Sequence, residues 1–241
     1  MSVAGAMMQE QPVLGSFVQA RALIASGRVD EGLEAMDRAF ESAPTVDVGP
    51  YPAAPLSQHW VLILTARELR AHGHEAEALR VLDRAQHRLE ALAPPDSLRA
   101  PVRLLTAEVR YLMRQWEAAQ AILSELSPEE LNTPDWIRLY SITYSGVLAA
   151  RLGDTARARS ASAALAAQFT EGQRRLWATY GRARIAAVLG DPDAAVAALS
   201  PPGFYVFAED LLLDVHSEMD FEPLRGLPEF RELLRPKGEA P

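Results

Sequence analysis

The chain has 241 residues, 49% of them hydrophobic and 23% charged, which places it among globular rather than disordered proteins. It contains no cysteine, so disulfide frameworks, cysteine–zinc sites and cysteine nucleophiles are excluded. Its net charge of −8 lacks the basic excess that a non-specific grip on nucleic acid or an anionic membrane requires, and neither is expected as a partner.

The mean hydropathy is −0.06, and no apolar stretch reaches the length of a membrane span. The longest, Val147–Leu152, is interrupted by Arg151. Met1–Glu10 carries no basic region before its apolar residues, so no secretion signal is expected and the predicted location is cytoplasmic. Charge is unevenly placed: residues 203–241 hold nine acids and four bases, a local charge of −5. Lys237 is the single lysine among 24 basic residues, so the lysine that cradles phosphate in a nucleotide site is missing.

Read in chain order, four glycines punctuate helix-like stretches: Gly27, Gly73, Gly153 and Gly190. Five residues after each stands Gly32, Ala78, Ala158 or Ala195, and seven residues before each stands Ala20, Ala66, Gly146 or Ala183. A further unit keeps these surroundings in Ala107, Trp116 and Ala119 but has Arg114 in place of glycine. Counting Arg114, the spacings are 46, 41, 39 and 37 residues, a ragged repeat.

Each unit reads as a helical hairpin. Leu62, Ala66 and Leu69 share one helix face, and Ala78, Leu82, Ala85 and Leu89 share the next. The glycine closes the first helix in a left-handed conformation, and the small residues let the paired helices approach. Pro44–Pro55 reads as a loop between the first two units. Ser127-Pro128-Glu129-Glu130 offers a capping box, while Thr133-Pro134 and Asp191-Pro192 offer an N-cap followed by proline. Phe204–Phe207 reads as the first turn of a helix continuing through Leu211–Val215.

This small–glycine–small spacing resembles the tetratricopeptide repeat. Glu31-Gly32-Leu33, Glu77-Ala78-Leu79 and Glu117-Ala118-Ala119 are similar to its "EAL" signature. The turn-exit aromatic survives only as Trp116, and the proline that closes a unit only as Pro44. The stretch from Asp220 to Leu234 resembles the closing segment of bacterial tetratricopeptide proteins, many of which carry a kinase, cyclase or DNA-binding domain. Physically it is a cap, in which Phe221, Leu224, Phe230, Leu233 and Leu234 cover the last hairpin. The expected fold is all-α: a flexible N-terminus over 1–12, an α-solenoid of about five hairpins over 13–202, and capping helices with a tail over 203–241.

Catalytic signatures are missing. There is no phosphate-binding glycine loop, no kinase motif, no H-E-x-x-H and no G-x-S-x-G. His72-Gly73-His74 spans a helix-ending turn and reads as a polar turn rather than a metal site. Asp210, Asp214 and Glu218 fall on one helix face, read as solvated, although such a row also invites a cation or an arginine partner. No enzyme activity, catalytic residue, metal or cofactor is expected.

The resemblance implies that the first helix of each hairpin lines a concave groove. The register places Phe17, Arg21 and Ile24 there, then Trp60, Ile63, Arg67 and Arg70, then Leu104, Glu108 and Tyr111. Tyr140, Thr143 and Arg151 follow, and then Trp177, Tyr180 and Arg184. Arginines and aromatics dominate recognition hot spots. Trp60, Trp177 and the tyrosines can instead pack between hairpins, with the arginines solubilising the surface. The expected function is a non-catalytic scaffold or interaction module that binds a protein or peptide with an acidic segment. The chain's own acidic tail, or that of another copy, could compete for the groove. The alternative is a ligand-sensing module that controls an attached or partner output domain.

Overall fold

The computed structural model describes residues 12–42, 54–94, 96–126, 135–200 and 215–235. Every regular element among them is helical, so the all-α expectation holds. In chain order these are α1 (Pro12–Ala25), α2 (Val29–Ser42), α3 (Ala54–Ala71), α4 (Glu75–Glu90), α5 (Asp96–Leu112), α6 (Trp116–Ser124), α7 (Asp135–Arg151), α8 (Thr155–Gln168), α9 (Gly172–Val188) and α10 (Pro192–Leu199). A 3₁₀ helix (Met219–Leu224) and α11 (Pro228–Leu234) follow. The chain forms two compact units, 1–114 and 115–241.

The turns obey the predicted register. Gly27, Gly73, Gly153 and Gly190 all have positive φ, between 76° and 85°. Arg114, which stands where glycine was expected, is left-handed too, at φ 61°. At Gly73 the N–H donates to the Arg70 carbonyl (3.0 Å), and the next N–H, of His74, donates to the Leu69 carbonyl (2.9 Å). This Schellman pair satisfies carbonyls that the helix end would leave without partners. It recurs at Gly27, Gly153 and Gly190. Asp154 and Asp191 then cap the next helices, accepting from the backbone N–H of Arg157 (3.0 Å) and Ala194 (3.1 Å), with Pro192 in the first turn of α10.

The small residues lie buried in every unit: Ala20, Gly32, Ala66, Ala78, Ala107, Ala119, Gly146, Ala158, Ala183 and Ala195. Two of them show why. A Cβ on Gly32 would come within 2.7 Å of Ile24 Cγ1 and 3.1 Å of the Ala20 carbonyl, across the α1–α2 contact. A Cβ on Gly146 would collide with Ile185 on α9 and approach Ala161 Cβ on α8 to 2.9 Å.

In the first unit, α1 pairs with α2 and α3 with α4, while α3 also meets α1, α2 and α5. Residues 59–70 of α3 are all buried. The second helices are tied together as well: Arg84 of α4 pairs with Asp37 of α2, and Arg84 and Arg88 lie over the Phe40 ring at 4.8 and 4.3 Å. In the second unit α7 pairs with α8 and α9 with α10, and α7 also packs on α6 and α9. The 3₁₀ helix lies on α9 and α11 on α10. There Phe221, Leu224 and Phe230 join Val215, Tyr180, Ala183, Ala187, Ala195 and Leu199 in one apolar cluster, with Leu233 and Leu234 at its margin.

One sequence reading needs amendment, and three fall on residues outside the described segments. Pro55 belongs to the first turn of α3, where a missing N–H costs no intrahelical bond, rather than to the preceding loop. The capping box at Ser127, the Thr133-Pro134 pair and, up to residue 214, the helix expected from Phe204 through Val215 lie outside the described residues.

Left-handed arginine is strained where glycine is not, by about 1–2 kcal/mol. Arg114→Gly should therefore raise the thermal midpoint and Gly73→Ala should lower it, both read by far-UV circular dichroism. Ala66→Leu, placed where α3 is fully buried, should cost about 1–3 kcal/mol by overpacking, seen as a lower denaturant midpoint.

Candidate functional site

The residues assigned to a groove fall into two groups, one in each unit. All are buried except Phe17, Arg151 and Trp177, which are half-buried.

In the first unit, α1 and α3 bring Phe17, Arg21, Trp60, Ile63, Arg67 and Arg70 onto helices that pack together, and α5 supplies Glu108 and Tyr111. Arg21 donates through Nε to Glu68 Oε2 (2.9 Å), and its guanidinium lies 5.8 Å from the centre of the Phe17 ring. The other oxygen of Glu68, Oε1, lies 3.1 Å from His72 Nε2. His72 thus meets a carboxylate one turn earlier on its own helix. Arg70 forms a bidentate pair with Glu75 across the same turn, at 2.8 and 3.0 Å. This hydrogen-bonded pair holds the Glu75 carboxyl below its ordinary value; burial opposes the shift, and the charges of Arg70 and Arg114 reinforce it. Arg67, Glu108, Tyr111, Trp60 and Ile63 are enclosed in the same unit.

In the second unit, Tyr140, Trp177, Tyr180 and Arg184 do come together. Trp177 sits 6.1 Å from Tyr140 and edge-on to Tyr180 at 6.0 Å between ring centres. The ladder continues from Tyr180 to Phe221 (5.7 Å) and on to Phe230 (5.8 Å). Arg184, 2% exposed, lies 4.7 Å from the centre of the Tyr144 ring.

Arg184 meets two carboxylates from the C-terminal cap. Its Nε donates to Asp220 Oδ2 at 2.8 Å, and Glu218 Oε2 lies at 3.3 Å. Tyr180 donates its hydroxyl to Glu218 Oε2 (3.0 Å), and Arg151 donates to Asp220 Oδ1 (2.8 Å). Both carboxylates are 0% exposed. Burial by itself would disfavour the Arg184 charge and is the largest single influence on it. The charges of Glu218 and Asp220, with Tyr144 and Tyr180, outweigh it and hold the guanidinium well above its ordinary value. The cluster is an acid–x–acid–aromatic segment, Glu218-Met219-Asp220-Phe221, seated on two arginines and a tyrosine.

Glu218 therefore has the arginine partner that its row of acids invited and is not on a solvated face. It follows the helical turn 215–217 with extended backbone (φ −71°, ψ 122°), so the helical turn ends before it. Those two residues lie outside the described segments. Glu68 and Asp220 were not singled out from sequence as counter-charges. The available signals were the surplus of acid in 203–241 and a carboxylate within the fully buried run of α3.

Comparison of the chain with protein-family models, with curated proteins and with solved structures finds no match.

A carboxyl group whose folded value is depressed contributes stability above its unfolded value and loses it as pH falls through the folded one. Glu75→Gln should therefore lower the thermal midpoint at neutral pH. The gap to wild type should close as pH drops below 4.5, the ordinary carboxyl value. A pH series of melting curves for the two chains reads this directly.

Proposed function

We propose that the chain is a non-catalytic interaction module built from hairpins of the tetratricopeptide type. It serves as a scaffold or regulatory subunit that binds an acidic protein segment with an aromatic anchor. The observation that carries this reading is the recognition chemistry of the second unit: Arg184, Arg151 and Tyr180 hold two carboxylates two residues apart, and the ring ladder takes the aromatic that follows. Arginine presents fixed donors to carboxylates, and flat rings give apolar contact at low entropic cost. The repeat register of left-handed turns and small residues supports the tetratricopeptide assignment.

The test is fluorescence anisotropy with labelled synthetic peptides of the pattern acid–x–acid–Phe, titrated to saturation with the full chain. The acidic form should bind about tenfold or more tightly than its Asn/Gln counterpart, as expected when charge-assisted hydrogen bonds are lost. Arg151→Gln and Trp177→Ala should each weaken binding, whereas Arg159→Glu on the exposed face of α8 should not. Equal binding of acidic and amide peptides would reject the reading.

A further inference from the structure

We propose that Glu218-Met219-Asp220-Phe221 is a tethered occupant of the Arg151–Tyr180–Arg184 site, which closes that site in the free chain against the acidic partner segments it would otherwise take. The inference rests on the binding reading given above and adds its regulation.

Three observations carry it. The first is exclusion. Arg184 is enclosed and both cap carboxylates are fully buried against it, so no second carboxylate can reach the guanidinium while the cap is seated. Any acidic segment that uses Arg184 must displace the chain's own.

The second is the way the segment is held. The backbone at Glu218 is extended, and Glu218 and Asp220, at i and i+2, deliver their carboxylates to the same arginine. Glu218 is extended, whereas Met219 and Asp220 open the 3₁₀ helix, so the two carboxylates reach one arginine across that change of backbone. Each carboxylate also meets a second donor, Tyr180 for Glu218 and Arg151 for Asp220. Two arginines and a tyrosine read this segment through its side chains, and a segment of another protein with the same pattern offers them the same groups.

The third is energetic. A buried ion pair gives little net stability over an apolar pair of the same volume, yet loss of one partner is strongly destabilising. Arg184 thus requires carboxylates but is indifferent to which chain supplies them. Exchange of the cap's two acids for a partner's two acids conserves every charge contact. Displacement must also draw Phe221, with its neighbours Val215 and Leu224, out of the apolar cluster on α9 and α10, and a partner's aromatic would restore the Tyr180 contact. The cap lowers apparent affinity in proportion to the fraction of time it is seated.

The experiment uses a fluorescent peptide with the sequence of residues 215–226. It is titrated into the full wild-type chain and into a full chain carrying Glu218→Gln, Asp220→Asn and Phe221→Ala. The proposal predicts about tenfold or more tighter binding to the variant. A second arm keeps every native side chain: a protease site is inserted between Pro202 and Gly203, the chain is cut there, and excess unlabelled peptide is added. The cap fragment should be released while the helical circular-dichroism signal persists. This arm carries the test if the triple variant fails to fold. Equal peptide affinity for wild type and a folded variant would overturn the tethered-occupant proposal and leave the binding reading standing. Binding by neither folded form would overturn both. A cut chain that retains its cap against excess peptide, or that loses helix when the cap leaves, would make the cap a permanent part of the core and overturn the proposal.

Discussion

A guanidinium cannot leave water without a carboxylate to receive it, and this requirement organises both units. The chain has almost no lysine, whose flexible stem could carry its charge back to the surface, and it places arginines on helices that are enclosed. Arg21 is met by Glu68, Arg70 by Glu75, and Arg184 by Glu218 and Asp220. Three of these pairings, Arg21–Glu68, Arg184–Glu218 and Arg184–Asp220, join segments far apart in sequence. Each fixes which element may lie against which, because a mispaired arrangement would leave a charge buried without a partner.

Close helix approach makes that burial possible. Where Gly146 faces Ile185 and Gly32 faces Ile24, the isoleucine side chain fills the space a Cβ would need, so the helices lie one side chain apart. The left-handed turn sets the chain back antiparallel within a few residues, and the Schellman bonds satisfy carbonyls at the helix end. Turn, small residue and buried arginine are therefore successive consequences of one geometry.

Local rules made much of this legible. The positive φ at Arg114 is the clearest case: sequence spacing alone placed a left-handed turn at a residue that disfavours it. The buried positions of Ala66, Ala78, Ala158 and Ala195 and the cap apolar residues Phe221, Leu224 and Phe230 were legible for the same reason, since period and residue size determine them. The counter-charges were not. Helical register reports which side of its own helix Arg184 occupies, and nothing in it reports that the chain returns after residues 201–214 to place Asp220 there. Glu218 misled because its spacing from Asp210 and Asp214 is helical, whereas its backbone is extended. The aromatics were found but their neighbours were not: Trp177 and Tyr180 were paired by register, and Phe221 joined them through a contact distant in sequence.

The central claim is that Arg184 and the cap carboxylates are energetically one unit. A double-mutant cycle of Arg184→Met and Asp220→Asn, read by denaturant unfolding of the full chain, tests it most directly. The account predicts a coupling energy of about 1–3 kcal/mol, with the double variant less destabilised than the sum of the single variants. Losses that add to within about 0.5 kcal/mol would contradict it.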